Sequence, residues 1–196
     1  YVDPEPIYNS KNFLLKVMPK TYDKPKKIET SSSDYEDNRM MRSLGENSGY
    51  YVNILFLDPN YAVIGTLVDK KASIEYLTIP SGYNEEKIDT TVKNIGYLIA
   101  FDDSNKDKRI DWNDNYDLYI SDLDGKNLFQ VTKGIDVKGF NFINQNKDIF
   151  ISYTDRTDAR DEYKITRFAT FNISTNQLLK LNGIDKTLNG IQKNLK

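Results

Sequence analysis

The arrangement of apolar and polar positions changes character near residue 50. From Tyr51 onward, apolar or alternating runs of strand length recur at Tyr51–Leu57, Ala62–Leu67, Ser73–Ile79, Ile95–Phe101 and Leu118–Leu123. They continue at Leu128–Val131, Ile149–Tyr153, Phe168–Ile173 and Leu178–Leu181. Short runs rich in Tyr, Phe and β-branched residues, bounded by turn formers, predict strands. The turn formers are Asp58-Pro59-Asn60, Pro80-Ser81-Gly82, Asp124-Gly125 and Ser174-Thr175-Asn176. Asp124-Gly125 predicts a type I′ hairpin, because Gly takes the positive φ of that turn without steric penalty. No stretch here sustains a 3.6-residue period, so helices are not expected before the tail.

The chain before residue 49 reads differently. Pro4, Pro6, Pro19 and Pro25 crowd its first half, followed by a polar stretch from Thr30 to Asn38. Only Phe13–Val17 has the composition of a strand, and Asp34–Leu44 has room for a helical turn or two. The expected organisation is an irregular arm over 1–48 with one strand, a β domain over 49–185, and a tail over 186–196. After Gly183 the tail reads as either a short helix or an unstructured end.

Comparison of the chain with itself adds a repeat. Leu98–Asp103 matches Phe150–Asp155, and Leu118–Val131 matches Phe168–Leu181, each pair roughly 50 residues apart. The copies finish alike, at Lys133-Gly134-Ile135-Asp136 and Asn182-Gly183-Ile184-Asp185. Asn53–Leu67 repeats the strand–turn–strand half. A strand–loop–strand–turn–strand unit of that length is the sequence form of a propeller blade, the alternative being chance similarity among β-rich segments. A closed propeller needs at least about four blades, more than 196 residues provide at this spacing. The fold expected is therefore all-β: a partial β-propeller-like stack of two to three blade-like antiparallel units, or a sandwich made from them. The sheet edges an open stack leaves need a cover, for which the arm is available.

Composition narrows the chemistry. The chain has no His and no Cys, which removes Ser-His-Asp catalysis, cysteine nucleophiles, disulfides and imidazole or thiolate metal sites. Any bound metal is then a hard, oxygen-seeking cation. A net charge of −2 argues against a nucleic-acid partner. No apolar run reaches membrane-spanning length, and the mean hydropathy is −0.64. The first residue is Tyr1 rather than Met, so a processed product is expected, with any signal peptide or lipid-attachment cysteine upstream of it.

One loop carries a specific motif. Asp103 to Asp114 fits the twelve-residue calcium-loop spacing. Asp103, Asn105 and Asp107 stand at positions 1, 3 and 5, the carbonyl of Arg109 at position 7, Asp111 at 9 and Asp114 at 12. Ile110, at position 8, is expected to point into the core. Lys108 replaces the usual glycine at position 6, a strain of about 1 kcal/mol at positive φ. Asp114 is shorter than the customary bidentate Glu, and strands rather than helices flank the loop. A structural Ca²⁺ site is the reading preferred here; the alternative is a solvated Asp/Asn-rich hairpin loop. The charged run from Asp155 to Glu162 lacks this spacing and predicts surface ion pairs.

The segment from Ile99 to Thr132 resembles the TolB-type, WD-like β-propeller repeats of bacterial exported proteins. The resemblance rests on the acidic loop followed by Asp114, Leu118-Tyr119, Asp122, Gly125 and Val131-Thr132. It is good over this repeat, poor over Phe150–Leu181, and absent from the first 50 residues. The Lys/Asn/Ile-rich composition and the segment Tyr50–Phe56 also resemble small uncharacterised lipoproteins of the Bacteroidetes type. The resemblance implies a periplasmic or cell-surface location, a lipid anchor upstream of residue 1, and a role as a protein-interaction platform.

The expected function is a non-enzymatic exported binding or scaffold module, stabilised by the calcium loop, with a protein or glycan partner. The alternative is a carbohydrate-binding or carbohydrate-active propeller-type protein. Asp102, Asp117, Glu75, Glu85 and Glu86 are the carboxylates such an enzyme could use. Trp112 and Tyr116 are the aromatics a sugar site could use, Trp112 serving otherwise as a hydrophobic peg for the loop.

Overall fold

In a computed structural model of the protein, residues 3–19, 51–78, 90–156 and 166–193 are described. The expected helical turns over Asp34–Leu44, the turn at Pro80-Ser81-Gly82, and Glu85 and Glu86 lie outside these residues. The rest is an all-β structure of three four-stranded antiparallel sheets with one helix. Sheet 1 holds β1 (Glu5–Pro6), β2 (Phe13–Val17), β3 (Asn53–Leu57) and β4 (Val63–Thr66). Sheet 2 holds β5 (Ser73–Thr78), β6 (Asn94–Ala100), β7 (Asp117–Asp122) and β8 (Phe129–Gln130). Sheet 3 holds β9 (Ile135–Ile143), β10 (Asp148–Asp155), β11 (Arg167–Asn172) and β12 (Gln177–Lys180), and the helix α1 (Asn182–Lys193) follows it. Every sheet is a meander in chain order, and none closes on itself.

The segments that match in sequence fall on corresponding strands, the first pair two residues out of register: Leu98 pairs with Leu118, whereas Phe168, the counterpart of Leu118, pairs with Ser152 and not Phe150. Leu98–Ala100 ends the second strand of sheet 2, with Phe101–Asp103 just beyond it, and Phe150–Asp155 lies on the second strand of sheet 3. Leu118–Val131 and Phe168–Leu181 each span the third strand, its turn and the fourth strand, as Asn53–Leu67 does in sheet 1.

Side-chain alternation along β6 explains how the sheets assemble. Ile95, Tyr97 and Ile99 join Ile7, Leu14, Ile54, Phe56 and Leu67 of the sheet 1 region in one apolar cluster. Leu98 and Ala100, with Leu118 and Ile120 of β7, join Val137, Phe140, Ile149, Ile151 and Phe171 of sheet 3 in another. Sheet 2 is thus buried on both faces, which is why β6 reads as a continuous apolar run. Two glycines allow the closest approaches. A Cβ on Gly96 of β6 would lie 2.4 Å from the Phe140 ring of β9, and one on Gly125 would lie 2.0 Å from the Phe56 ring of β3.

Several expectations change. The Asp124-Gly125 turn is not type I′: of the two, Gly125 alone has positive φ (78°), Asp122 accepts its N–H at 3.0 Å, and Asp122 donates to the Lys126 carbonyl. This is the three-residue loop with a left-handed glycine. The arm contributes its first part to sheet 1, where β2 pairs with β3 over Phe13–Val17 and the short β1 forms the edge. Pro6, which lacks an N–H, is at home on such an edge. The longest strand, β9, is one the hydrophobic pattern does not reveal. Of the two readings of the tail, the helix holds as far as Lys193, and no helix among the described residues is long and apolar enough to cross a membrane.

Candidate functional site

The acidic loop joins β6 to β7 and is built from its own side-chain-to-backbone hydrogen bonds. Asp107 N–H donates to Asp103 (3.1 Å) and Asn105 (2.9 Å), Lys108 N–H to Asp103 (2.7 Å), Arg109 N–H to Asp107 (2.8 Å), and Asn113 N–H to Asp111 (2.9 Å). Short Asx side chains bend the backbone in this way, and Lys106 and Lys108 take positive φ of 64° and 71° within the bends. Asp114 closes the loop. It is 4% exposed and accepts from Ser104 N–H and Oγ–H, Asn105 N–H and Asp111 N–H. Those bonds tie the loop's beginning to its end.

The loop is seated on the fold by apolar residues. Ile110 packs against the core shared by sheets 2 and 3, as position 8 requires. Tyr116 is 2% exposed, and its hydroxyl bonds Ser73 Oγ at 2.6 Å and the Asp111 carbonyl at 3.2 Å. It is therefore a core residue and not half of a sugar platform. Trp112 is 65% exposed, so it does not act as a buried peg. The oxygens of Asp103, Asn105, Asp107, Asp111 and Asp114 serve the loop's backbone here. Among the described residues, no three acidic side chains form a group that could hold a metal ion.

A polar cleft of about 230 Å³ lies at the base of this loop, on the face of sheet 2 that carries Ile99 and Tyr119, with Arg156 reaching in from the end of β10. Asp117, at the start of β7, is 9% exposed. Arg156 reaches it from the end of β10 at 2.8 Å, Thr132 donates to it at 3.2 Å, and Gln130 donates at 3.2 Å. Burial pushes the Asp117 carboxyl above the usual carboxylate range, opposed by Arg156 and by the two neutral donors. Arg156 also donates its Nε–H to the Ile135 carbonyl, so the pair bridges the two sheets. Tyr119 packs edge-on to Phe101, its hydroxyl pushed up to about 12 by burial and by the charges of Asp117 and Asp102, and so protonated at neutral pH. Lys70 holds its ammonium 3.9 Å over the Phe101 ring.

Of the carboxylates singled out in the sequence, Asp102 and Asp117 line this one cleft. Glu75 stands elsewhere, on β5 near Lys138 and Asp136. Sequence reasoning does not find Lys70, Lys133 or Arg156, since each comes from a different segment. Arg156 sits in the run read as surface ion pairs; Asp155 does pair with Arg167, whereas Arg156 turns inward to Asp117. No family model, curated protein or solved structure matches the chain.

Proposed function

We propose that the chain is a non-enzymatic exported binding or scaffold module: a stack of blade-like sheets whose acidic loop is stabilised by Ca²⁺. One observation carries the scaffold reading. The middle sheet packs both faces against its neighbours, and every sheet is the same four-stranded meander. Stacking one repeated meander face to face is how propeller blades assemble. Such a stack is stiff and leaves its turns free for recognition. The resemblance to TolB-type repeats agrees with this reading and with a periplasmic or cell-surface location. A non-enzymatic role is favoured because Asp117 is committed to Arg156, Thr132 and Gln130, and the chain has neither His nor Cys.

Two features favour Ca²⁺ in the loop. Lys108, at the sixth position, holds the positive φ that calcium loops reserve for glycine, and Asp103 accepts its N–H. Asp103, Asn105, Asp107, Asp111 and Asp114, with the Arg109 carbonyl, would hold the ion, whose charge would offset that of the four carboxylates. Thermal melting in EDTA and then in about 1 mM Ca²⁺ tests this. A site with Kd near 10 µM raises the melting temperature by about 5–10 °C. The rise is expected to be absent with Mg²⁺ and in Asp103→Ala/Asp107→Ala. No shift with Ca²⁺ removes the metal from the reading.

The exposure of Trp112 favours glycan binding as the second reading. Trp112→Ala is expected to leave the melting temperature within about 2 °C, since a side chain this exposed loses little buried area. It is expected to abolish retention on any glycan column that holds the parent chain. A large loss of stability would return Trp112 to a structural role.

A further inference from the structure

The polar cleft separates satisfied groups from unsatisfied ones. Asp117 and Arg156 satisfy each other. Lys70 and Lys133 line the same cleft, are exposed, and form no ion pair among the described residues. Asp102 is likewise exposed there and unpaired among the described residues. Tyr119 presents a protonated hydroxyl and Asn115 an amide. At about 230 Å³, the space lies below the roughly 300–1,000 Å³ of sites for drug-sized ligands, and suits one small ring.

We propose that this cleft binds a single carboxylated sugar residue, such as the uronate of an acidic glycan. Two ammonium groups without ionic partners call for an anion. The exposed carboxylate of Asp102 in the same wall disfavours a compact polyanion such as phosphate, whose extra charge it repels. A monoanion bearing hydroxyls meets both conditions. Its carboxylate lies between Lys70 and Lys133, while its hydroxyls donate to Asp102 and accept from Tyr119 and Asn115. Phe101 and Tyr119 supply the apolar wall. The site is distinct from Trp112 and needs no metal, so it stands whether or not the loop takes up Ca²⁺.

The test is an amide-shift NMR titration of the full chain with sodium glucuronate, glucose, acetate and phosphate at constant ionic strength. Glucuronate is expected to give saturable shifts around residues 101–104, 115–119 and 130–133. Glucose and acetate, each lacking half of the recognition, are expected to bind at least about tenfold more weakly, and phosphate no better than acetate. Lys70→Met and Lys133→Met together are expected to weaken glucuronate about tenfold, with the melting temperature unchanged to about 2 °C because both side chains are exposed. Glucose or acetate binding as tightly as glucuronate overturns the proposal. So do phosphate preference, an unchanged affinity in the lysine variants, and the absence of saturable shifts at about 50 mM glucuronate.

Discussion

Gly125→Ala is expected to melt about 5–15 °C below the parent chain. Two costs add. Gly125 has φ 78°, and an L-residue held in the left-handed region loses about 1–2 kcal/mol. Its new Cβ would also stand 2.0–2.5 Å from three atoms of the Phe56 ring, which is fully buried in the core between sheets 1 and 2. Overpacking of this kind costs about 1–3 kcal/mol, and each kcal/mol lowers the melting temperature of a chain this size by about 2–4 °C. Gly134 supplies the control, with φ 79° and open space around its Cβ position. Gly134→Ala therefore measures strain alone, and the difference between the variants isolates the Phe56 contact. Equal losses at both glycines would show that the turn of sheet 2 does not press on the core of sheet 1. Phe56→Leu in the Gly125→Ala background is expected to recover part of the loss.

Arg156→Met is expected to destabilise the fold by about 2–4 kcal/mol, because it strands a buried carboxylate without its cation. The pH dependence identifies the cause. Burial already holds Asp117 above the usual carboxylate range with Arg156 present, and removing the guanidinium raises it further. In the window between the ordinary carboxylate value and this raised one, the folded state keeps a proton that the unfolded chain has lost. The corresponding stability is present in acid and falls as pH rises through that window. The gap between variant and parent is therefore widest near neutrality and narrows on acidification, as urea titrations at pH 7 and pH 5 would record. Asp117→Asn added to Arg156→Met is expected to restore part of the loss. A gap that does not change with pH would assign the effect to the lost hydrogen bond at the Ile135 carbonyl.

The parts of this architecture legible in the sequence are those with an unbroken local signal. β6 and β7 are apolar enough to stand out, and the recurrence of their segments in β10, β11 and β12 marks equivalent strands. β9 is hidden for a definite reason. Its inward residues are Ile135, Val137, Phe140 and Phe142, so the period of two slips by one at Lys138-Gly139. That slip matches the register shift opposite Ser152 and Tyr153, where the strand bulges. The acidic loop is legible because Asx turns form within a few residues of themselves. The inward turn of Asp114 is not, since a calcium ligand and a backbone cap require the same carboxylate. The cleft could not be read at all, because Lys70, Asp117, Lys133 and Arg156 meet only through sheet packing.

The burial of the middle sheet on both faces also gives the fold an order in time. Among the described residues, the apolar cluster of sheets 1 and 2 draws on positions 7 to 128, whereas the second cluster needs the chain as far as Ile173. A chain emerging from its amino end can close the first core before sheet 3 has been made. Until β9 and β10 arrive, Leu98, Ala100, Leu118 and Ile120 form a bare apolar face, which makes the half-finished molecule the species most in need of a chaperone.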